Sequence, residues 1–210
     1  MGHFAVAHDG RVYVFPVHPG SQSGPAWAFD PATESWHVLQ TRGMGPNCAL
    51  IPKQTCDGKF YAVSRGLGAV HEFCFDPGPG ARVAGTWCRL DVEGAATHDT
   101  CWWLQGLEWH AGRLWAFGGD AHSSPPRAEV WAVDPTARAA RLAWELVKTV
   151  GPGPKVRRDP ASALVVGRWI VQGGRRTDRC GTPVGGSTAD CHAFDFKARE
   201  WSHLFAWVGS

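Results

Sequence analysis

The sequence predicts an all-β repeat protein of four units, and three marks recurring in a fixed order predict it. A Gly-Arg or Gly-Lys pair that opens an apolar strand falls at Gly10-Arg11, Gly58-Lys59, Gly112-Arg113 and Gly167-Arg168. An aspartate that ends a later strand falls at Asp30, Asp76, Asp134 and Asp195. A tryptophan that opens the last strand falls at Trp36, Trp87, Trp144 and Trp201. Each mark returns after about fifty residues, a period within the range of repeat architectures. The units cover residues 2–42, 43–94, 95–152 and 153–210 of one domain that runs from 1 to 210.

Alternation of apolar and polar residues between turn signals gives the strands of each unit. In the first, strands are expected at 4–7, 12–15, 27–29 and 36–39, with Asp9-Gly10 turning the first hairpin. In the second they fall at 48–51, 59–63, 73–75 and 87–90, with Lys53 in a loop and a third turn stretched by Pro77-Gly78-Pro79-Gly80. The third begins at 97–103, its first hairpin expected to be longer, and continues at 113–117, 129–133 and 144–147. Gly151-Pro152-Gly153-Pro154 links it to the fourth, at 161–166, 169–172, 191–194 and 201–204. Helical periodicity is absent.

The order of apolar strand, Gly-Gly (Gly118-Gly119 and Gly173-Gly174), polar loop, strand ending in Asp and a following Trp resembles the kelch repeat. Units one and two depart from it, with Pro16-Val17 and Ser64-Arg65 in place of the glycine pair. The resemblance implies a kelch-like β-propeller with four blades of four antiparallel strands. All four strands of the first unit come from consecutive sequence, so ring closure would rest on face packing between the first and fourth blades, on the tail at Phe205-Ala206-Trp207, or on a second chain.

Composition narrows the function. Twelve tryptophans against two tyrosines suit a role in which large flat rings fill the space between blades, and the four repeated tryptophans are expected there. A net charge of +2 argues against nucleic acid as a partner, although basic residues outnumber acidic ones in the fourth unit. No apolar run is long enough to span a membrane, and residues 1–6 carry neither a charged leader nor a myristoylation signal. The seven cysteines allow three local pairs, Cys48 with Cys56, Cys74 with Cys88 and Cys180 with Cys191, leaving Cys101 over. An odd count without a leader favours free thiols and an intracellular, cytoplasmic protein.

The leading ends of the innermost strands of a propeller converge on the mouth of its channel, where this chain places His3, Asn47, His98 with Asp99, and Arg157-Arg158-Asp159. Such polar groups either bond the neighbouring blade's backbone or meet a ligand. The loops between second and third strands carry recognition on a rigid scaffold, and the longest presents Arg175, Arg176 and Arg179, suited to an acidic or phosphorylated partner. No catalytic residue, cofactor or resident metal is assigned. Copper-radical oxidases of this architecture need tyrosine ligands, and the chain's tyrosines, Tyr13 and Tyr61, both hold structural strand positions. The expectation is therefore an adaptor that binds a protein partner, with a homo-oligomer or larger assembly in view. The alternative is a small propeller enzyme of lyase, isomerase or cyclase type, or a small-ligand or sugar-binding protein, working through His98, Asp99 and Arg158. His3, His98 and Asp99 in that mouth are able to supply three metal ligands, although no sequence spacing enforces it.

Overall fold

The computed structural model describes residues 2–17, 25–43, 45, 53–54, 58–63, 67–76, 83–93, 102–120, 127–137, 142–155, 157–158, 160–177 and 183–206. They form β-strands, turns and short irregular stretches, with no α-helix among them. Contacts divide the chain into two units, Met1–Val92 and Glu93–Ser210.

The first unit contains β1 (Gly2–His8), β2 (Arg11–Val17), β3 (Ala26–Asp30), β4 (Ser35–Arg42), β5 (Lys53–Gln54), β6 (Lys59–Val63), β7 (Val70–Phe75) and β8 (Val83–Leu90). They form one eight-stranded sheet in the order β1-β2-β3-β4-β8-β7-β6-β5. Its two halves are antiparallel meanders, and they meet where β4 runs parallel to β8, with Thr41 opposite Gly85 and Arg42 opposite Thr86. The sheet curls so that alternate residues of the first half, Phe4, Val6, Phe15 and Ala28, pack on Phe60, Phe73 and Trp87 of the second. The Phe15 and Trp87 rings meet edge to face at 5.9 Å, the geometry that aromatic quadrupoles favour.

The second unit begins with the end of β9 (Val92–Glu93), followed by β10 (Trp102–His110), β11 (Arg113–Asp120), β12 (Arg127–Val133), β13 (Leu142–Ala143) and β14 (Glu145–Val147). Then come β15 (Arg157–Arg158), β16 (Ala161–Val165), β17 (Arg168–Gln172), β18 (Arg175–Thr177), β19 (Pro183–Ser187), β20 (Asp190–Asp195) and β21 (Glu200–Ala206). Two four-stranded sheets, β10-β11-β12-β14 and β16-β17-β20-β21, carry the core, and a three-stranded sheet, β15-β18-β19, lies beside them. Trp115, Phe117, Val130 and Ala132 of the first pack on Trp169, Phe194 and Trp201 of the second.

The repeated marks have local physical causes. Ahead of the Gly-Arg pair, both central turn residues take positive φ, at 46° and 71° for Asp9-Gly10, 48° and 78° for Ala111-Gly112, and 46° and 72° for Val166-Gly167. That is the two-residue hairpin turn whose twist matches the flanking strands. The repeated aspartate closes the next turn: Asp30 Oδ1 accepts from the Ala32 N–H at 3.0 Å, Asp134 Oδ1 from Thr136 at 2.8 Å, and Asp195 Oδ1 from Lys197 and Ala198 at 2.9 Å. Those backbone donors, with Thr136 Oγ1 for Asp134, hold the three carboxyls below the usual range against their partial desolvation.

The repeated tryptophans divide. Trp87, Trp144 and Trp201 are buried, but Trp36 is 58% exposed, because among the described residues of its own unit no strand packs over its side of β3 and β4. The second repeat's first described strand is Lys53–Gln54, where a loop is expected from sequence, and it pairs with Tyr61 and Phe60; residues 48–51 lie outside the described residues. The third repeat's first hairpin is tight rather than long. Strand β10 runs to His110, and the extra residue is taken up by a bulge at Gln105.

Val166 is 97% exposed and held at φ 46°, a left-handed conformation that crowds a β-branched side chain. Replacing it with glycine is expected to raise unfolding stability by about 1 kcal/mol, the left-handed penalty of a side-chain-bearing residue, as read from urea midpoints of the two proteins.

Candidate functional site

The site grows from the linker between the two core sheets of the second unit. After β14 the chain pairs with β21 through a parallel bridge, Val150 accepting from the Trp201 N–H at 2.9 Å and donating to the Arg199 carbonyl at 3.1 Å. Gly151, at φ 85°, then crosses the Trp201 backbone so closely that a Cβ would overlap its carbonyl oxygen. The crossing carries Pro152, Lys155 and Arg157 over the start of β20. Together with Thr188, Asp190, His192 and His203 they line a half-open cavity of about 440 Å³.

Arg157 is 2% exposed and forms the floor. Its Nη1 and Nη2 donate to the two Asp190 carboxylate oxygens at 2.6 and 2.9 Å, a bidentate pair. Its Nε donates to the Lys155 carbonyl at 3.0 Å, and Nη1 also meets the Gly173 carbonyl at 2.8 Å. The backbone N–H of Arg157 donates to Gln105 Oε1 at 3.3 Å. His192, also buried, sets Nε2 3.0 Å from Asp190 Oδ2 and Nδ1 2.9 Å from the Pro152 carbonyl oxygen. Neither oxygen carries a hydrogen, so both contacts become hydrogen bonds only when both ring nitrogens are protonated. The Arg157 guanidinium, opposed by desolvation and aided by His192, holds the Asp190 carboxyl far below the ordinary carboxylate range.

The floor is therefore committed to its own network, in which the paired Asp190 side chain stays 26% exposed to the cavity, and the more exposed groups are on the rim. Lys155 and His203 are exposed, and the His203 ring lies 5.0 Å from that of His192. A fixed ionic floor under a cationic, hydrogen-bonding rim can hold a small polar anion. It positions charge without spending the buried arginine on the ligand.

Of the residues expected at a channel mouth, Arg157 reaches this cavity, as a positioning group and not as a free cation. Arg158 pairs with Arg175, and Arg157 with Arg176, as backbone partners of β15 and β18. The arginine-bearing segment expected as a loop is thus partly a strand, because β18 and β19 close a hairpin against β15. Arg175 is exposed there, and His3 is exposed on β1, where its backbone pairs with Pro16. Asn47, His98, Asp99, Asp159 and Arg179 lie outside the described residues. Among the described residues no group of three His, Cys, Asp or Glu side chains is placed to hold a metal ion. Sequence reasoning missed Asp190 and His192. A signal existed in the third repeat: Glu129 and Trp131 stand at the same distances before Asp134 as Asp190 and His192 before Asp195, and the Trp131 indole donates to Glu129 at 2.9 Å.

Cys74 and Cys88, adjacent enough in sequence to suggest a pair, are both free, as is the buried Cys191. Burial, with the Glu72 carboxylate 3.1 Å away, pushes the Cys74 thiol up to about 11. Brief iodoacetamide labelling of the native protein near neutral pH, mapped by mass spectrometry, is expected to mark exposed Cys88 well ahead of Cys74.

Curled sheets of sequentially paired strands in both units define a β-propeller-like protein. Among solved structures the chain is similar to that of YjhT, with a TM-score of 0.64 at 13% identity over 98% of this chain and 70% of that one. It also aligns with a putative 6-phosphogluconolactonase from Bacteroides fragilis (TM-score 0.49, 13% identity, 99% of this chain and 70% of that one). A third alignment is with the α-L-arabinanase of Cellvibrio cellulosa (0.46, 7%, 93% and 74%). No protein-family model and no curated protein matches the chain. No helix among the described residues is long and apolar enough to cross a membrane.

Because the folded Asp190 carboxyl titrates far below the unfolded value of about 4, its contribution is present above that value and lost as pH falls through the folded one. Asp190→Asn strands the buried Arg157 charge and is expected to cost about 3 kcal/mol at neutral pH. The difference from the parent should shrink in acid; urea titrations across pH measure it, and a constant difference would contradict the pairing.

Proposed function

We propose that the chain is a kelch-type propeller protein, with four blades of four strands, that binds a small organic anion in the cavity between Pro152 and His203. The observation that carries this reading is the Arg157–Asp190–His192 network beneath that cavity, with Arg157 and His192 buried and Asp190 part-buried between them. Such a network is expensive to desolvate, and ionic groups of this kind concentrate at functional sites. Lys155 supplies charge for a carboxylate or phosphate, Thr188 lies in the wall for a hydroxyl, and the His203 ring offers a flat face. A hydroxylated acid of monosaccharide size fits that chemistry and volume.

The small-ligand reading is preferred to a protein adaptor binding through its inter-strand loops because the arginine-bearing segment at Arg175 and Arg176 is held in a β-hairpin. If chemistry follows binding, it is proton transfer of isomerase or lyase type through His203, the exposed imidazole among the cavity's described lining residues.

The test is calorimetric titration with sugar acids and sugar phosphates against the matching neutral sugars. Anions are expected to bind, and Lys155→Ala is expected to weaken them by about tenfold or more, the loss of one charge-assisted hydrogen bond, with the melting temperature unchanged. Equal affinity for neutral and anionic sugars, or no effect of Lys155→Ala, would sink the reading. Following bound ligands by proton NMR over hours reads turnover, which His203→Ala should abolish if it occurs.

A further inference from the structure

The large apolar side chains exposed in the first unit, among the described residues, are Trp27, Trp36 and Val38, and they share one side of one sheet. Trp27 stands opposite Val38 and Phe29 opposite Trp36 across β3 and β4. Val14 and Val12 continue the same side on β2, opposite Trp27 and Phe29. The Phe29 and Trp36 rings are 5.1 Å apart, so the patch is a packed apolar surface rather than scattered residues. Contiguous apolar surface of this kind marks an interaction site.

The repeats indicate the shape of its occupant. Trp87 and Trp201 hold the positions of Trp36 in their own sheets and are 4% and 3% exposed. Each lies under another four-strand layer of its own unit, the first half of the curled eight-stranded sheet for Trp87 and the β10-β11-β12-β14 sheet for Trp201, which presents the side facing away from its own repeat tryptophan position: Phe4, Phe15 and Ala28 over Trp87, and Phe117, Val130 and Ala132 in the cluster with Trp201. The Trp36 side is therefore built to receive the opposite side of a like sheet. The second unit exposes one. On β16, β17 and β21, the side turned away from Trp169, Phe194 and Trp201 carries exposed Val165 and Phe205 and half-buried Ile170.

We propose that the Trp36 side of β1–β4 docks a second copy of this chain through the Val165, Ile170 and Phe205 side of that copy's β16-β17-β20-β21 sheet. The contact is head to tail, so it joins two different patches, and copies associate into closed rings or chains according to the angle between them. It rests on the sheet repeats and not on the ligand cavity.

The test is sedimentation equilibrium of the purified full chain at micromolar concentrations, with Trp36→Glu and Phe205→Glu prepared separately. The parent is expected to self-associate, and each variant to sediment as a monomer with an unchanged β-type circular dichroism spectrum. Mixing the two variants is expected to restore a one-to-one dimer, because each retains the patch that the other has lost. Only a head-to-tail contact has this property, and a misfolded variant could not be rescued by it. A parent that remains monomeric throughout would overturn the proposal, whether the face is then covered by another protein or by further polypeptide. So would association that survives both substitutions, or variants that fail to complement.

Discussion

A backbone glycine laid across the carbonyl of a buried tryptophan is the contact on which each unit depends. Gly43 crosses Trp87 in the first unit and Gly151 crosses Trp201 in the second, both at positive φ and both with no room for a Cβ. In each case the chain leaving one sheet runs parallel to the last strand of the next, so the linker is bonded before it departs. The tryptophan beneath fills the gap between sheets, and the glycine lets the backbone come down on it. Antiparallel hairpins supply the sheets, but this crossing sets how one sheet lies on another. In the second unit it also delivers Pro152, Lys155 and Arg157 to the cavity, so the site is a product of the same contact that orders the core.

The carboxylates show how position alone separates structure from site. Asp30, Asp134 and Asp195 sit at turns and each spends Oδ1 on backbone donors two or three residues away, while Asp30 Oδ2 also pairs with Arg11. Asp190 is five residues before Asp195 in sequence, yet its partners are a buried guanidinium from another strand and an imidazole. The first kind fixes a turn and costs little. The second removes charge from water and is retained only where its geometry is exact enough to compensate. The rim above it is left to meet a ligand, because the Nε, Nη1 and Nη2 atoms of the buried arginine are each engaged, with Lys155, Gly173 and Asp190.

What could be read from the sequence was whatever a local requirement writes into a short stretch. The hairpin turns at Asp9-Gly10, Ala111-Gly112 and Val166-Gly167, the turn aspartates and the strand alternation all fall into this class, and with them came the all-β repeat fold. The site was only partly legible. Arg157 stood out as a charge at the start of a strand, but its partner lies 33 residues on, and no local pattern records that pairing. His192 alternates with Cys191 and Ala193 in an ordinary strand rhythm, and its one mark is indirect, the register it shares with Trp131 ahead of the turn aspartate. Trp36 misled for a related reason: its sequence context equals that of Trp87 and Trp201, and only the presence or absence of a covering sheet distinguishes them.

The linker crossing also bears on the order of assembly. Most pairings in the core sheets are antiparallel ones between strands close in sequence, contacts of short separation that close quickly. The bridge from Val150 to Glu200 instead ties residues half a hundred positions apart and must pay for closing that loop before any bond rewards it. Sheets therefore precede docking, and the cavity is completed at the final step. A nascent chain could hold its full complement of strands while still lacking a pocket, and a ligand that binds the finished cavity would draw the remaining population across that last step.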